Sequence, residues 1–405
     1  MSRSELRAPG VRQLATFLAA RIVPALASMC LTFLCIHSLS AEAYGTYSLT
    51  LLPAGVVAGL IGGLSAQAML RYGHELAPAE LRRGLLGFPL AASAIAMPLI
   101  GAYLVWSVGL QAGVLFALVA IPLVALMDTR RSLFVARGRA RSVLSMDVLR
   151  AVAALALAWV LFQAWGAHAA VPLLAQALSV ALCLWVVRPQ SPEAAVAGTR
   201  KVDRHYLSYG LWFAGWLAVV GVISVAERSV VEAVSGIAAS GRYAAQADVV
   251  NAVFAATGGA LASAMMPNYL AMSRDEDRNT LNRLLRLGLA GTLATGLLCV
   301  LFGGALSVLG SGQIAAALTS DPHTALTLVA AGIVWTAAGF VQKPLELRGQ
   351  TRLTFAAAAL SLLFFVVVAQ WLAQGFGPTG VAIAKLAAGV FFVLVVWFAA
   401  RCKPA

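Results

Sequence analysis

A helix of about twenty apolar residues spans the roughly 30 Å hydrocarbon core of a bilayer. This chain of 405 residues repeats such a run twelve times, at roughly 13–37, 46–70, 85–107, 110–134, 143–164, 168–188, 207–231, 243–269, 284–309, 324–342, 353–373 and 379–400. Lipid offers no hydrogen-bond partners to a backbone, so each run must be helical. Composition agrees: 61% of residues are apolar and 11% charged, against about 45–50% and about 25% in soluble domains. The mean hydropathy is +0.86. Connecting segments reach at most about 20 residues, too few to bury a core outside the bilayer. The reading is an all-α polytopic membrane protein with no separate enzyme domain.

The charge is lopsided, with 29 Lys+Arg against 16 Asp+Glu. Such a balance suits nucleic acid, but the positions of the bases argue against it. With the N-terminus inside, only Arg21, Arg150, Arg228, Arg242 and Lys385 fall outside the inner segments, leaving 24 of 29 on one side. That is the positive-inside pattern of an even number of spans with both termini cytoplasmic. Attraction to anionic headgroups follows as a by-product. The first run follows Arg3, Arg7 and Arg12, contains Arg21 and Pro24, and continues to full length; it reads as a transmembrane helix rather than a cleaved signal. The five cysteines have no metal or disulfide spacing. No metal and no cofactor are expected.

The chain also repeats itself. Shifted by 196 residues, 45–69 matches 241–265 at Gly45/Gly241, Tyr47/Tyr243, Val57/Val253, Gly62/Gly258, Gly63/Gly259, Ala66/Ala262, Ala68/Ala264 and Met69/Met265. Arg137-Gly138 with Arg141 recurs as Arg348-Gly349 with Arg352. Two halves of six spans imply a parallel repeat about the membrane normal, an arrangement of transporters. The expected division is 1–190, a cytoplasmic linker at 191–206, and 207–405.

The segment Glu42-Ala43-Tyr44-Gly45-Thr46-Tyr47, its counterpart Ser240-Gly241-Arg242-Tyr243, the pair Glu227-Arg228 in span seven and Pro267 ending span eight carry a resemblance. They resemble the polysaccharide transporters of the multidrug/oligosaccharidyl-lipid/polysaccharide superfamily, the Wzx-type O-antigen flippases. The resemblance implies a V of two six-helix lobes, as in the multidrug-and-toxin (MATE) exporters. It also implies carriage of an undecaprenyl-diphosphate-linked oligosaccharide across the bacterial cytoplasmic (inner) membrane, for O-antigen, lipopolysaccharide or exopolysaccharide synthesis. Alternating access would be coupled to H+ or Na+, next to membrane lipids and polysaccharide polymerase machinery. Lipid II flippases of the same superfamily usually have fourteen spans, and twelve argues against that branch.

Ionisable groups inside a bilayer cost at least about 2.5–3.5 kcal/mol each and need a reason. Arg21 lies about 13 Å past Arg12 along the first helix and is the first candidate for the carrier diphosphate; snorkelling to the headgroups is the alternative. Arg71, at the place of Pro267 in the repeat, is a candidate to line the cytoplasmic mouth, with ordinary inside-loop charge as the equal alternative. Arg228 and Lys385 complete the candidate substrate-binding set. Glu227, Asp248 and Asn251 are candidates for a gate or an ion-coupling site. Arg228 could equally pair with Glu232, one turn on. Asp147 and Arg150, three residues apart, are expected to pair with each other.

A MATE-type drug exporter is the alternative function, but cationic drugs need cavity carboxylates, and the first half has only Asp147 deep inside its spans, with Asp128 near the inner end of span four. A major-facilitator protein would carry a Gly-x-x-x-Asp-Arg pattern between spans two and three, and 71–84 has none. A polymerase or ligase would need a large outer loop with Arg or His. A bare scaffold leaves the buried charges unexplained. The topology is directly testable: reporter fusions should place residue 195 and both termini in the cytoplasm, and an external residue 195 would overturn the span count.

Overall fold

A computed structural model describes residues 11–72, 80, 83–137, 139–187, 204–271, 278–309, 312–347 and 350–401; some side chains within helices, including those of residues 11–21 and 71–72, lie outside that description. The described residues are helical, with no strand among them. The order is α1 (Val11–Ser38), α2 (Ala41–Tyr72), α3 (Phe88–Val108, entered through a π-helical turn at Arg83–Gly87), α4 (Ala112–Ala136), α5 (Ala140–Trp165) and α6 (Ala170–Val186). Then come α7 (Arg204–Ser235), α8 (Ile237–Ala271), α9 (Arg278–Leu309), the short α10 (Gln313–Thr319), α11 (Pro322–Val341), the short α12 (Lys343–Leu347) and α13 (Thr351–Arg401).

Among the described residues, eight helices are long and apolar enough to cross a membrane, with two shorter apolar stretches at 22–38 and 170–186. The last of the eight covers 351–400 and bends at Gly377, where φ is +55° and Pro378 follows. Only glycine takes that backbone readily, so expected spans eleven and twelve are the two arms of α13. Long helices and arms together are compatible with twelve passes. Large apolar side chains face outward along the helices, among them Ile95, Leu99 and Val367, and Trp106, Trp165 and Trp185 are exposed at helix ends. That is the surface of a multi-pass membrane protein with an interfacial aromatic belt.

The loop expected at 310–323 holds α10. After it, Asp321 caps α11, accepting the backbone N–H groups of His323 and Thr324 at 3.1 Å each. It also accepts the Thr379 hydroxyl at 3.1 Å, which ties the start of α11 to the second arm of α13. Burial works to raise the Asp321 carboxyl, but hydrogen bonds from Thr324, Thr379 and His323 outweigh it and hold the group below its usual value.

The two halves meet through α1 and α2 on one side and α7 and α8 on the other. α2 packs on α4 within its own half and almost as closely on α7, with a smaller contact to α8. The first core cluster accordingly takes in Ala244, Ala245 and Val249 of α8 beside Leu31, Cys35 and Ile36 of α1. A second cluster joins α7, α8, α11 and α13 around Ile223, Leu328 and Phe365. Glycine makes the crossing possible. A Cβ on Gly241 would sit 1.8 Å from the Ala41 carbonyl oxygen, and one on Gly45 would sit 2.6 Å from that of Ile237. Each would also lie close to the other's backbone nitrogen, at 3.0 and 3.2 Å. These are the equivalent glycines of the internal repeat, and two copies related by an axis through the crossing would place them in this way. The α2–α7 contact is similar, with a Gly210 Cβ 2.2 Å from the Leu64 carbonyl oxygen.

Close packing at these points predicts a sharp contrast between glycines. Gly241→Val should lower the thermal-unfolding midpoint in detergent, with a loss of about 1–3 kcal/mol as in other overpacked interiors. Gly303 has nothing within 4 Å of its would-be Cβ, so Gly303→Ala should leave the midpoint unchanged or raise it slightly.

Candidate functional site

Small residues at helical spacing face one another and leave a void. Ala54 and Ala58 of α2, Ala117 and Ala120 of α4, Ala151 and Ala154 of α5, and Ala252 and Ala255 of α8 line a central cavity of about 450 Å³, which α1 and α6 also wall. A second chamber of about 400 Å³ shares Pro24, Ser28, Val124, Arg150, Ala252 and Ala255 with it. A third space of about 490 Å³ lies beside the Gly45–Gly241 crossing and is lined by His37, Ser40 and Arg242. Tyr44 lines both the central cavity and this third space, so its side chain stands between them.

Tyr44 is held there by the opposite half. Its hydroxyl donates to Asp248 Oδ2 at 2.8 Å, and its ring meets that of Tyr47 edge-on with centroids 5.7 Å apart. Asp248 Oδ1 accepts from the Arg228 guanidinium, which also reaches the Ser224 carbonyl at 3.3 Å. Arg228 is fully buried, while a quarter of the Asp248 side chain remains accessible at the cavity wall. Asn251, one turn further along α8, lines the same wall. Asp248 is therefore a carboxylate bound from two sides and still open to the cavity.

The adjacent Glu227 points elsewhere, since neighbours on a helix diverge by about 100°. It is fully buried and pairs with Lys385 of α13 at 2.9 and 3.0 Å. Tyr243 donates its hydroxyl to Glu227 at 3.0 Å, and Trp335 Nε1 donates to the Lys385 carbonyl at 3.2 Å. The repeat-related tyrosines thus both bury their hydroxyls in polar contacts, but with different partners, because Tyr47 accepts from Gln176 Nε2 at 2.9 Å. The symmetry lies in the backbone and not in the polar groups.

The expected pairing of Asp147 with Arg150 is corrected. Arg131 Nε of α4 holds both Asp147 oxygens, at 3.1 and 2.9 Å. An acid on one helix was reached by a base sixteen residues earlier on the packed neighbour, a contact that helical spacing alone does not reveal. Arg150 lines the two chambers instead. The alternative pairing of Arg228 with Glu232 also gives way, to Asp248.

Of the other candidates, the side chains of Arg21 and Arg71 lie outside the described residues. Arg228, Lys385 and Glu227 are enclosed and paired, and Asp248 and Asn251 line the cavity. Sequence reasoning missed Gln176 and the cavity position of Tyr44. The Tyr-Gly-x-Tyr spacing marked Tyr44 but not the direction it faces. Among the described residues no His, Cys, Asp or Glu cluster could hold a metal.

Removing one partner of a buried ion pair strands the other charge, at about 3–5 kcal/mol. Glu227→Gln should therefore lower the unfolding midpoint markedly. Adding Lys385→Met should recover most of the loss, and a double variant as unstable as the single one would contradict the pairing.

Solved structures share this fold. The MATE multidrug transporter DinF-BH, in a ligand complex, superposes with TM-score 0.71 at 14% identity, covering 96% of this chain and 98% of its own. The lipid II flippase MurJ in its inward closed conformation gives TM-score 0.71 at 14% identity over 98% of this chain and 88% of its own. A MOP superfamily transporter from Pyrococcus furiosus gives TM-score 0.65 at 12% identity over 98% of this chain and 96% of its own. No curated protein matches the sequence. The family described as polysaccharide biosynthesis protein matches residues 88–290, half of the chain, and the chain belongs to that family.

Proposed function

We propose that this protein flips an undecaprenyl-diphosphate-linked oligosaccharide from the cytoplasmic to the outer leaflet of a bacterial inner membrane, for O-antigen or exopolysaccharide synthesis. The observation that carries the reading is the central cavity between the halves, with Tyr44 as its barrier toward the crossing and Asp248 holding Tyr44 from across the interface. A path with a barrier made by two opposed halves is what alternating access requires. The two halves, 1–190 and 207–405, would be the moving lobes, joined by the 191–206 linker, with both termini cytoplasmic.

Arg21 precedes the cavity residues Pro24 and Ser28 by three and seven positions, a spacing that shares a helix face. It is our candidate for the carrier diphosphate, with Arg71 at the mouth. Arg228 and Lys385 enter this reading as partners that set the charge of Asp248 and Glu227. Asp248 with Asn251 is the gate or coupling site for H+ or Na+; a cation binding or protonating Asp248 would compete with Arg228 and Tyr44 and loosen the bond between halves. A drug exporter of the same fold would need a free cavity carboxylate, and Asp248 is already bound on two sides.

Two measurements test this. In a strain lacking its own flippase, the chain should restore polysaccharide export, and Arg21→Ala should keep little of that activity while Arg21→Lys keeps part. In vesicles, Asp248→Asn should blunt the response of transport to an imposed proton or sodium gradient. Unchanged gradient dependence would leave Asp248 a structural partner.

A further inference from the structure

Among the described residues, the second half neutralises its buried cations internally, and the first half leaves Arg150 open. Arg150 sits ten residues into α5 from Ala140, about 15 Å along the helix. Its side chain faces the central cavity and the second chamber. The acid nearest in sequence, Asp147, is taken by Arg131. Asp128 faces the second chamber too, but it is itself engaged and forms no ion pair with Arg150. Asp248, across the central cavity, belongs to Arg228 and Tyr44. Among the described residues, Arg150 has no ion pair and no hydrogen bond, and its Nε is buried without a partner. Arg228 also leaves its Nε unpaired, but a carboxylate neutralises its charge.

A guanidinium stays protonated at any working pH, so this charge cannot be relieved by losing a proton. Water can hydrate its exposed end, but only an anion that enters the space it faces would neutralise it. Arg150 lines the central cavity and the second chamber together, so a ligand moving between them passes it. Gln176 and Ser179 of α6 line the central cavity with it and supply neutral polar groups.

We propose that Arg150 is the anion-binding residue of the first half's cavity, taking a phosphate or diphosphate ester through its planar fork. This rests on the flippase reading for its physiological cargo, but the site itself is defined by charge and space. The same chemistry has two sources, a diphosphate-bearing cargo or the phosphate of a membrane lipid headgroup, and the test separates them.

The full chain is purified and placed in nanodiscs of phosphatidylcholine, and its unfolding midpoint is followed against added inorganic diphosphate. The wild type should be stabilised. Arg150→Gln should need about tenfold more diphosphate for the same shift, as expected for losing a charge-assisted pair of hydrogen bonds. Arg150→Lys, which keeps the charge and loses the fork, should fall between. Without diphosphate, Arg150→Gln should be at least as stable as wild type, because no acid is stranded, so a folding defect does not obscure the result. Repeating the titration in phosphatidylglycerol nanodiscs assigns the source. A diphosphate response weakened there in the wild type but not in Arg150→Gln points to a lipid headgroup on the same residue. A response unaltered by lipid points to the cargo. An unresponsive wild type in phosphatidylcholine, or an Arg150→Gln protein that responds equally, overturns the assignment. Export in cells separates the two readings: if the wild type restores no export while Arg150 governs diphosphate binding, the flippase reading falls and the anion site stands. If both proteins export equally, the assignment falls and the flippase reading stands.

Discussion

Backbone contact at Gly45 and Gly241 is the constraint around which this molecule is arranged. A side chain at either position would occupy the space of a carbonyl oxygen on the other half. The approach brings α1 and α2 against α8, and it sets what lies immediately beside it. Tyr44 is one residue from Gly45, and from there its hydroxyl reaches Asp248 on the opposing helix. Tyr47 and Tyr243 follow their glycines by two positions and turn into their own halves, toward Gln176 and Glu227. The glycine crossing therefore closes one end of the cavity and delivers the hydrogen bond that spans the interface.

Desolvation explains how the charges are distributed. An ion in a low-dielectric interior is expensive unless it is paired, and the second half obeys that rule with Glu227–Lys385 and Arg228–Asp248. In the first half Arg131 and Asp147 pair between helices, and Arg150 is left facing the cavity. The halves share a backbone repeat but have diverged in polar content: position 248 is an acid where its equivalent, 52, is leucine. One half keeps its ions to itself, and the other presents a cation to whatever occupies the cavity.

Much of this architecture is legible in one dimension. Apolar run length is set by bilayer thickness, so the helical class and most helix limits follow from counting. The exceptions are local. α10 is short and lies in what reads as a loop, and α13 bends at Gly377 between two expected spans. The repeat was visible because the crossing admits only glycine, which leaves a mark in the sequence. The partners of the charges were not, since Arg131 reaches Asp147, and Lys385 reaches Glu227, across helix faces whose rotation spacing does not encode.

Sequence by itself determined that the chain is an all-helical membrane protein, that its halves resemble each other, and which ionisable residues lie at membrane depth. Those are properties of hydrophobicity and spacing along one helix, where 3.6 residues per turn is the only geometry needed. Tertiary structure decided which of those charges are neutralised and which face open space. It left Arg228 and Lys385 enclosed, put Asp248 at the cavity wall, and gave Asp147 to Arg131, so that Arg150 faces the chambers with no acid paired to it. The reason is physical: pairing depends on distances of a few ångströms between helices, and those are set by where small residues let two backbones come together.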